Sequence, residues 1–177
     1  MTATTSQPDA SQPHHTSQPE NLRPDLSRPD LSRPDPRLNA WRDDLADEAL
    51  RGTIDVPRFV AGRRARVVAS VLPVRRRPEA HAALETEAIY GEIVHVFDVA
   101  NGWAWGQLAR DQYVGYMPAD GLTGDLAEPT HRVQALGTFV YPAADIKAPP
   151  VRHLPLGAEL SGKSEGAHGP VRIEHDL

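Results

Sequence analysis

The stretch GWAWGQLARDQYVGYMPADGL, residues 102–122, holds two of the chain's three tryptophans and two of its four tyrosines, and its reading decides the fold. The segment before it alternates from Ile93: Ile93, His95, Phe97 and Val99 fall on one face, with Val94, Val96 and Asp98 on the other. A period of two is that of a strand. Asn101-Gly102 then supplies the residue pair that a two-residue hairpin needs, because both positions take positive φ. WAWGQLA is predicted to resume as the partner strand, RD to turn, QYVGYMP to form the next strand and ADGL to close the unit. Short strands with frequent turns predict a mainly β protein built on a small barrel.

Upstream, ARVVASVLPVRRRP places Val67, Val68, Val71, Leu72 and Val74 between turn signals, which suits a further strand. Before it, PRLNAWRDDLADEALRG reads as a short helix over 37–52. Asn39 serves as cap, Trp41, Leu45, Ala49 and Leu50 share one face, acidic residues crowd the first turns and Gly52 is the stop. A single amphipathic helix of this length is unstable alone, so it is expected to pack on the barrel at 53–122. Residues 1–36 are rich in Ser, Gln, Asp and Pro and repeat RPD with prolines at 24, 29 and 34. Such a composition buries too little apolar surface to offset ordering entropy, and a disordered, Pro-rich tail is expected. Downstream, 130–177 reads as a partial second module: RVQALGTFVYP echoes RVVASVLPVRR, and LPLGAEL stands where AIYGEIV stood, but no counterpart of the tryptophan hairpin follows.

Composition narrows the chemistry. The 177 residues carry a formal charge of −5 and no cysteine, so disulfides, thiolate zinc sites and a cysteine nucleophile are excluded. No apolar run approaches the length of a membrane helix and the N-terminus has no signal-peptide pattern, so a cytoplasmic location without membrane partners is expected. GAELSGKS, residues 157–164, matches the phosphate-cradling G-x-x-x-x-G-K-[ST] pattern in letters, but EGAHGP behind it rules out the helix whose N-terminus the mechanism needs. Arg63, Arg64, Arg66 and Arg75–Arg77 form two basic spots, yet the net acidic charge and the lack of interleaved aromatics argue against nucleic acid. Histidines 81, 95, 131 and 153 show no ligand spacing, and no catalytic residue, metal site or cofactor is assigned.

Gly102-Trp103, a turn, then Gly115-Tyr116-Met117 and a final Leu122 resemble the bacterial SH3-like domain. Taken with RLNAWRDDLADEALRG, RFVAGRRARVVASVLPVRRRP, Tyr90-Gly91-Glu92 and THRVQALGTFVYPAADIKAPPV, the chain resembles the N-terminal region of NlpC/p60-family cysteine peptidases of the dipeptidyl-peptidase, or γ-D-glutamyl-L-diamino-acid endopeptidase, type. The resemblance covers about residues 37–160 and stops before the catalytic domain. It implies a non-catalytic module that recognises or positions cell-wall-derived peptide, with a separate NlpC/p60 catalytic domain as a further partner. A protein-interaction or structural SH3-like module, and a truncated product without independent function, stand as alternatives. In the resembled enzymes the first SH3-like module lends an acidic residue and a tyrosine to the amine of the peptide. By motif position these are Glu92 and Tyr113 or Tyr116.

Trp103 and Trp105 share a strand face. Trp103 is expected mainly in the core, and Trp105 is left as a candidate for ligand. Gly106 in a strand and Gln112 in place of a turn glycine depart from the pattern and are expected to loosen the hairpins.

Overall fold

The structure is a computed structural model that describes residues 1–2, 33–166 and 171–173. The tail expected over 1–36 therefore lies outside the described residues from 3 to 32. The described residues from 33 onward form one compact unit. In chain order its strands begin with β1 (Trp41–Arg42), β2 (Leu45–Asp47), β3 (Phe59–Val60), β4 (Arg63–Val67), β5 (Val71–Arg75) and β6 (Leu84–Ile89). Next come β7 (Ile93–Ala100), β8 (Trp103–Leu108), β9 (Val114–Pro118) and β10 (Leu122–Thr123). The chain ends with β11 (His131–Arg132), β12 (Gly137–Val140), β13 (Arg152–Pro155), β14 (Glu159–Leu160), β15 (Gly162–Ser164) and β16 (Val171–Ile173). The mainly β class is as expected from the alternation. None of the described helices is long and apolar enough to cross a membrane.

The central sheet has seven strands in the order β10-β4-β7-β8-β9-β5-β6. Its two outer strands do not pair with each other, so the expected barrel is an open, SH3-like sheet. The inner face packs Val67, Leu72, Val74, Val94, Val96, Ala104, Leu108 and Met117 into one core. Asn101 (φ 51°) and Gly102 (φ 78°) make the β7–β8 turn in the left-handed conformation that their pairing predicts. Gly106 and Gly115 are close-approach positions and not weaknesses. A Cβ on Gly106 would stand 2.8 Å from the His95 carbonyl oxygen, and one on Gly115 would stand 2.6 Å from Val74 Cγ1.

The helix expected over 37–52 is corrected. Trp41↔Ala46 and Arg42↔Leu45 pair as an antiparallel hairpin turning at Asp43-Asp44, and β2 runs parallel to β3. Only one 3-10 turn remains, Glu48–Leu50, capped by the Asp47 carboxylate accepting from Ala49 N. Helical spacing lost because so short a helix stabilises itself little, whereas the extended form buries Ala40 and Leu45 against the sheet and Ala46 against Ile54 and Val56. Residues 33–60 thus form a strap. Arg37 O accepts from Val114 N (2.8 Å), Leu38 O accepts from Gln107 Nε2 (2.9 Å), and the Trp41 indole N–H donates to Pro34 O (2.8 Å).

Residues 130–164 and 171–173 carry three two-stranded ladders, β11–β14, β12–β13 and β15–β16. Their small core of Val133, Leu154, Ala158 and Leu160 is completed by Tyr90 from the β6–β7 turn. Glu159 N donates to Tyr90 O (3.1 Å), and the Arg152 guanidinium lies over the Tyr90 ring and donates to Val68 O.

Candidate functional site: a cleft beside the β7–β8 hairpin

The face of the sheet opposite the core carries the site. Cross-strand neighbours share a face, and the pairs Trp105↔Tyr116 and Trp103↔Pro118 put both tryptophans and Tyr116 on this outer side, with Ala104 and Met117 inward. Strict alternation would turn Asp98 inward with Val94 and Val96. The register instead shifts between Val96 and Asp98: Val96 pairs with Gly106, Asp98 with Trp105, and Phe97 is the extra residue. This bulge brings Asp98 outward. Phe97 packs its ring 5.5 Å from that of Trp105.

The strap completes the site. Arg42 of β1 lies over the Trp105 ring at 4.8 Å and donates to Asp98, to Asp44 (Nε, 2.7 Å) and to the Tyr116 hydroxyl (3.5 Å). Burial by itself would lower the Arg42 pKa, but the bonds to Asp44, Asp98 and Tyr116 outweigh it, and the net shift is upward. Hydrogen bonding to Arg42 in turn holds Asp44 below its ordinary value. Two carboxylates against one guanidinium leave the cluster with a net negative charge. Next to it opens a cleft of about 360 Å³, lined by Trp103, Tyr116, Asp98, Asn101 and Pro78, with Trp105 and Arg42 at its strap end.

The tryptophan assignments are exchanged relative to expectation. Trp105 is 4% exposed, closed in by Ala40, Leu45, Phe97 and Val114. Trp103 is half-buried because it lies at the hairpin end of β8 and is not part of that cluster. Of the four candidate residues, the structure brings Trp105 and Tyr116 together at the cleft and leaves Glu92 and Tyr113 out of its lining. The Glu92 carboxylate accepts from Ile89 N (3.1 Å), closing the turn at Gly91, and from Arg110 (2.5 Å). Tyr113 is half-buried just before β9, its N–H bonded to Asp111 (3.1 Å). Arg42, Asp98 and Trp103 escaped the sequence reading as site residues. The one available signal for Asp98 was a carboxylate within an apolar strand.

A second chamber, lined by Arg66, Tyr90, Asp125 and Glu159 among others, has a volume of about 10 Å³, room for one water molecule. Arg66 is 6% exposed and its Nε has no hydrogen-bond partner within the described protein. Among the described residues no cluster of three or more metal-ligating side chains occurs.

The open antiparallel sheet, its tight glycine contacts and the aromatic cleft define an SH3-type module. Residues 74–122 match the family model described as the bacterial dipeptidyl-peptidase Sh3 domain. That span runs from the middle of β5 to the first residue of β10 and contains Asp98, Trp103, Trp105 and Tyr116, while Arg42 lies outside it. No curated protein matches the chain. The matched region is an accessory, non-catalytic type of domain, and the chain has no cysteine to supply a thiolate nucleophile.

Proposed function

We propose that the cleft recognises or positions a short cell-wall-derived peptide, its N-terminal ammonium set against Asp98 and the exposed face of Trp103. The observation that supports this reading is the net negative Arg42–Asp98–Asp44 cluster beside a half-exposed indole. A carboxylate and an aromatic face both attract an ammonium group. Tyr116 takes the place beside the acid that the resemblance gave to a tyrosine, with Asp98 in the role first assigned to Glu92. Arg42 donates to Asp98 and holds its carboxylate in place.

The test is titration with L-Ala-γ-D-Glu-diamino-acid peptide, followed by tryptophan fluorescence and NMR. Perturbation centred on Trp103 and Asp98 is expected, and Asp98→Asn should weaken binding about tenfold or more, the loss of one charged contact. The absence of any perturbation up to millimolar peptide would sink the reading.

A second reading, a protein-interaction module, draws on Leu136 (91% exposed), Ile146 (85%) and Phe139 (55%), apolar side chains displayed by β12 and the segments that flank it. A separate NlpC/p60 catalytic domain is the partner to offer it. Co-sedimentation of the two would favour this reading over peptide binding.

A further inference from the structure

His131, the first residue of β11, and Ser164, the last of β15, are 33 positions apart and meet in space, with Ser164 Oγ 2.8 Å from His131 Nε2. The other ring nitrogen, Nδ1, lies 2.7 Å from Thr130 Oγ1. That threonine hydroxyl also donates to Gly162 O (2.9 Å) and accepts from Gly162 N (2.9 Å). A hydroxyl has one proton and two acceptor lone pairs. In the tautomer with the proton on Nδ1, Thr130 Oγ1 accepts from His131 and gives its own proton to the Gly162 carbonyl. In the neutral imidazole Nε2 is then the acceptor, and it faces the Ser164 hydroxyl.

In that tautomer the relay runs in one direction. Ser164 O–H donates to Nε2, Nδ1–H donates to Thr130 Oγ1, and Thr130 O–H donates to Gly162 O. The anchor is firm: Thr130 N donates to Leu160 O (3.0 Å), and a Cβ on buried Gly162 would stand 2.6 Å from Arg172 O. Ser164 itself is exposed and His131 half-buried, so a small molecule has access to Oγ. A hydroxyl, a base within hydrogen-bond reach and a third group orienting that base form the arrangement that raises serine nucleophilicity.

We propose that Ser164 is an acyl-acceptor site, modified once by small activated carboxylic esters. The Ser164 Oγ–carbonyl carbon bond forms and the ester carbon–oxygen bond breaks. The leaving alkoxide or aryl oxide takes the electron pair. The serine proton passes to His131 Nε2 and from there to the departing oxygen, or to water where the leaving group stays an aryl oxide, leaving an O-acyl serine and the free alcohol or phenolate. Thr130 acts as a positioning residue by holding the imidazole tautomer. This site stands apart from the peptide cleft, and neither proposal depends on the other.

The experiment exposes the full chain to p-nitrophenyl acetate, locates acetylation by peptide mass spectrometry and follows p-nitrophenolate release. Acetylation is expected at Ser164 ahead of the neighbouring Ser161, and His131→Gln should slow it about 100-fold, the usual scale of general-base assistance. Ser164→Ala should abolish the adduct while leaving the circular dichroism and melting temperature of the chain unchanged. An unmodified Ser164, acetylation confined to Lys163 or the N-terminus, or an equal Ser164 rate in a folded His131→Gln chain would each overturn the proposal.

Discussion

Asp98 of β7 stands directly opposite Trp105 of β8, and it does so because Phe97 is one residue more than the partner strand can pair. Without that bulge the carboxylate would turn toward the core of Val94, Val96 and Leu108, where an unpaired charge is costly. With it, Asp98 meets Arg42, a residue 56 positions earlier in the chain.

The pairing of Arg42 with Asp98 should appear as a coupling energy. Both side chains are about a quarter exposed, 24% and 28%, so screening leaves a coupling of about 1 kcal/mol between Arg42→Met and Asp98→Asn in a double-mutant cycle. Arg42→Met alone should also shift Trp105 emission, since the guanidinium over its ring is removed. Additive effects of the two substitutions would refute the coupling.

Leu45 is fully buried between the strap and the sheet. Leu45→Ala should cost about 3 kcal/mol, the usual loss for a core leucine, measured by urea denaturation. A cost below about 1 kcal/mol would mean that the strap is peeled from the sheet in solution.

Gly91 has φ 90°, and a Cβ there would stand 2.1 Å from the Glu159 carbonyl oxygen. Gly91→Ala should destabilise the chain by about 3 kcal/mol, since overpacking adds to the left-handed backbone cost. The loss should be concentrated in residues 130–164. Hydrogen exchange there should rise more than in β7 and β8.

Gln112 holds φ 66° without being glycine, while its side chain donates to Ala109 O (2.9 Å) at an exposed turn. Relief of the left-handed conformation outweighs the lost surface bond, so Gln112→Gly should stabilise by about 0.5 kcal/mol in thermal melts.

Asp35 and Asp44 both titrate below their ordinary value of 3.8, held down by hydrogen bonds from Arg37 and Arg42 respectively. Depressed folded pKa values make their contribution fully present above the unfolded value and lost as pH falls through the folded one. Strap stability should therefore be flat above about pH 5 and decline below about pH 4, read from tryptophan emission. Stability that rises on acidification over that range would contradict these pairings.

Much of the central sheet was legible because its signals are local. Alternation from Ile93, Asn101-Gly102 at the turn and the Gly115-Tyr116-Met117 strand each act over a few residues, and the sheet follows them. The strap was misread because RDDLADEAL has helical spacing, and the outcome hinged on burial of Ala40, Leu45 and Ala46 against residues far along the chain. Glu92 was placed by motif position, yet its carboxylate closes the turn at Gly91 and pairs with Arg110. Tyr90 and Gly91 beside it serve the contact with the C-terminal ladders.

The residue pattern alone thus determined a mainly β chain with an aromatic hairpin, and the lack of cysteine excluded thiolate chemistry. Tertiary structure decided which tryptophan is covered, which carboxylate reaches the cleft and which serine meets a histidine. Turn and strand preferences are set by neighbours in sequence, whereas a bulge, a strap and a relay between Thr130, His131 and Ser164 depend on contacts that exist only once distant segments pack.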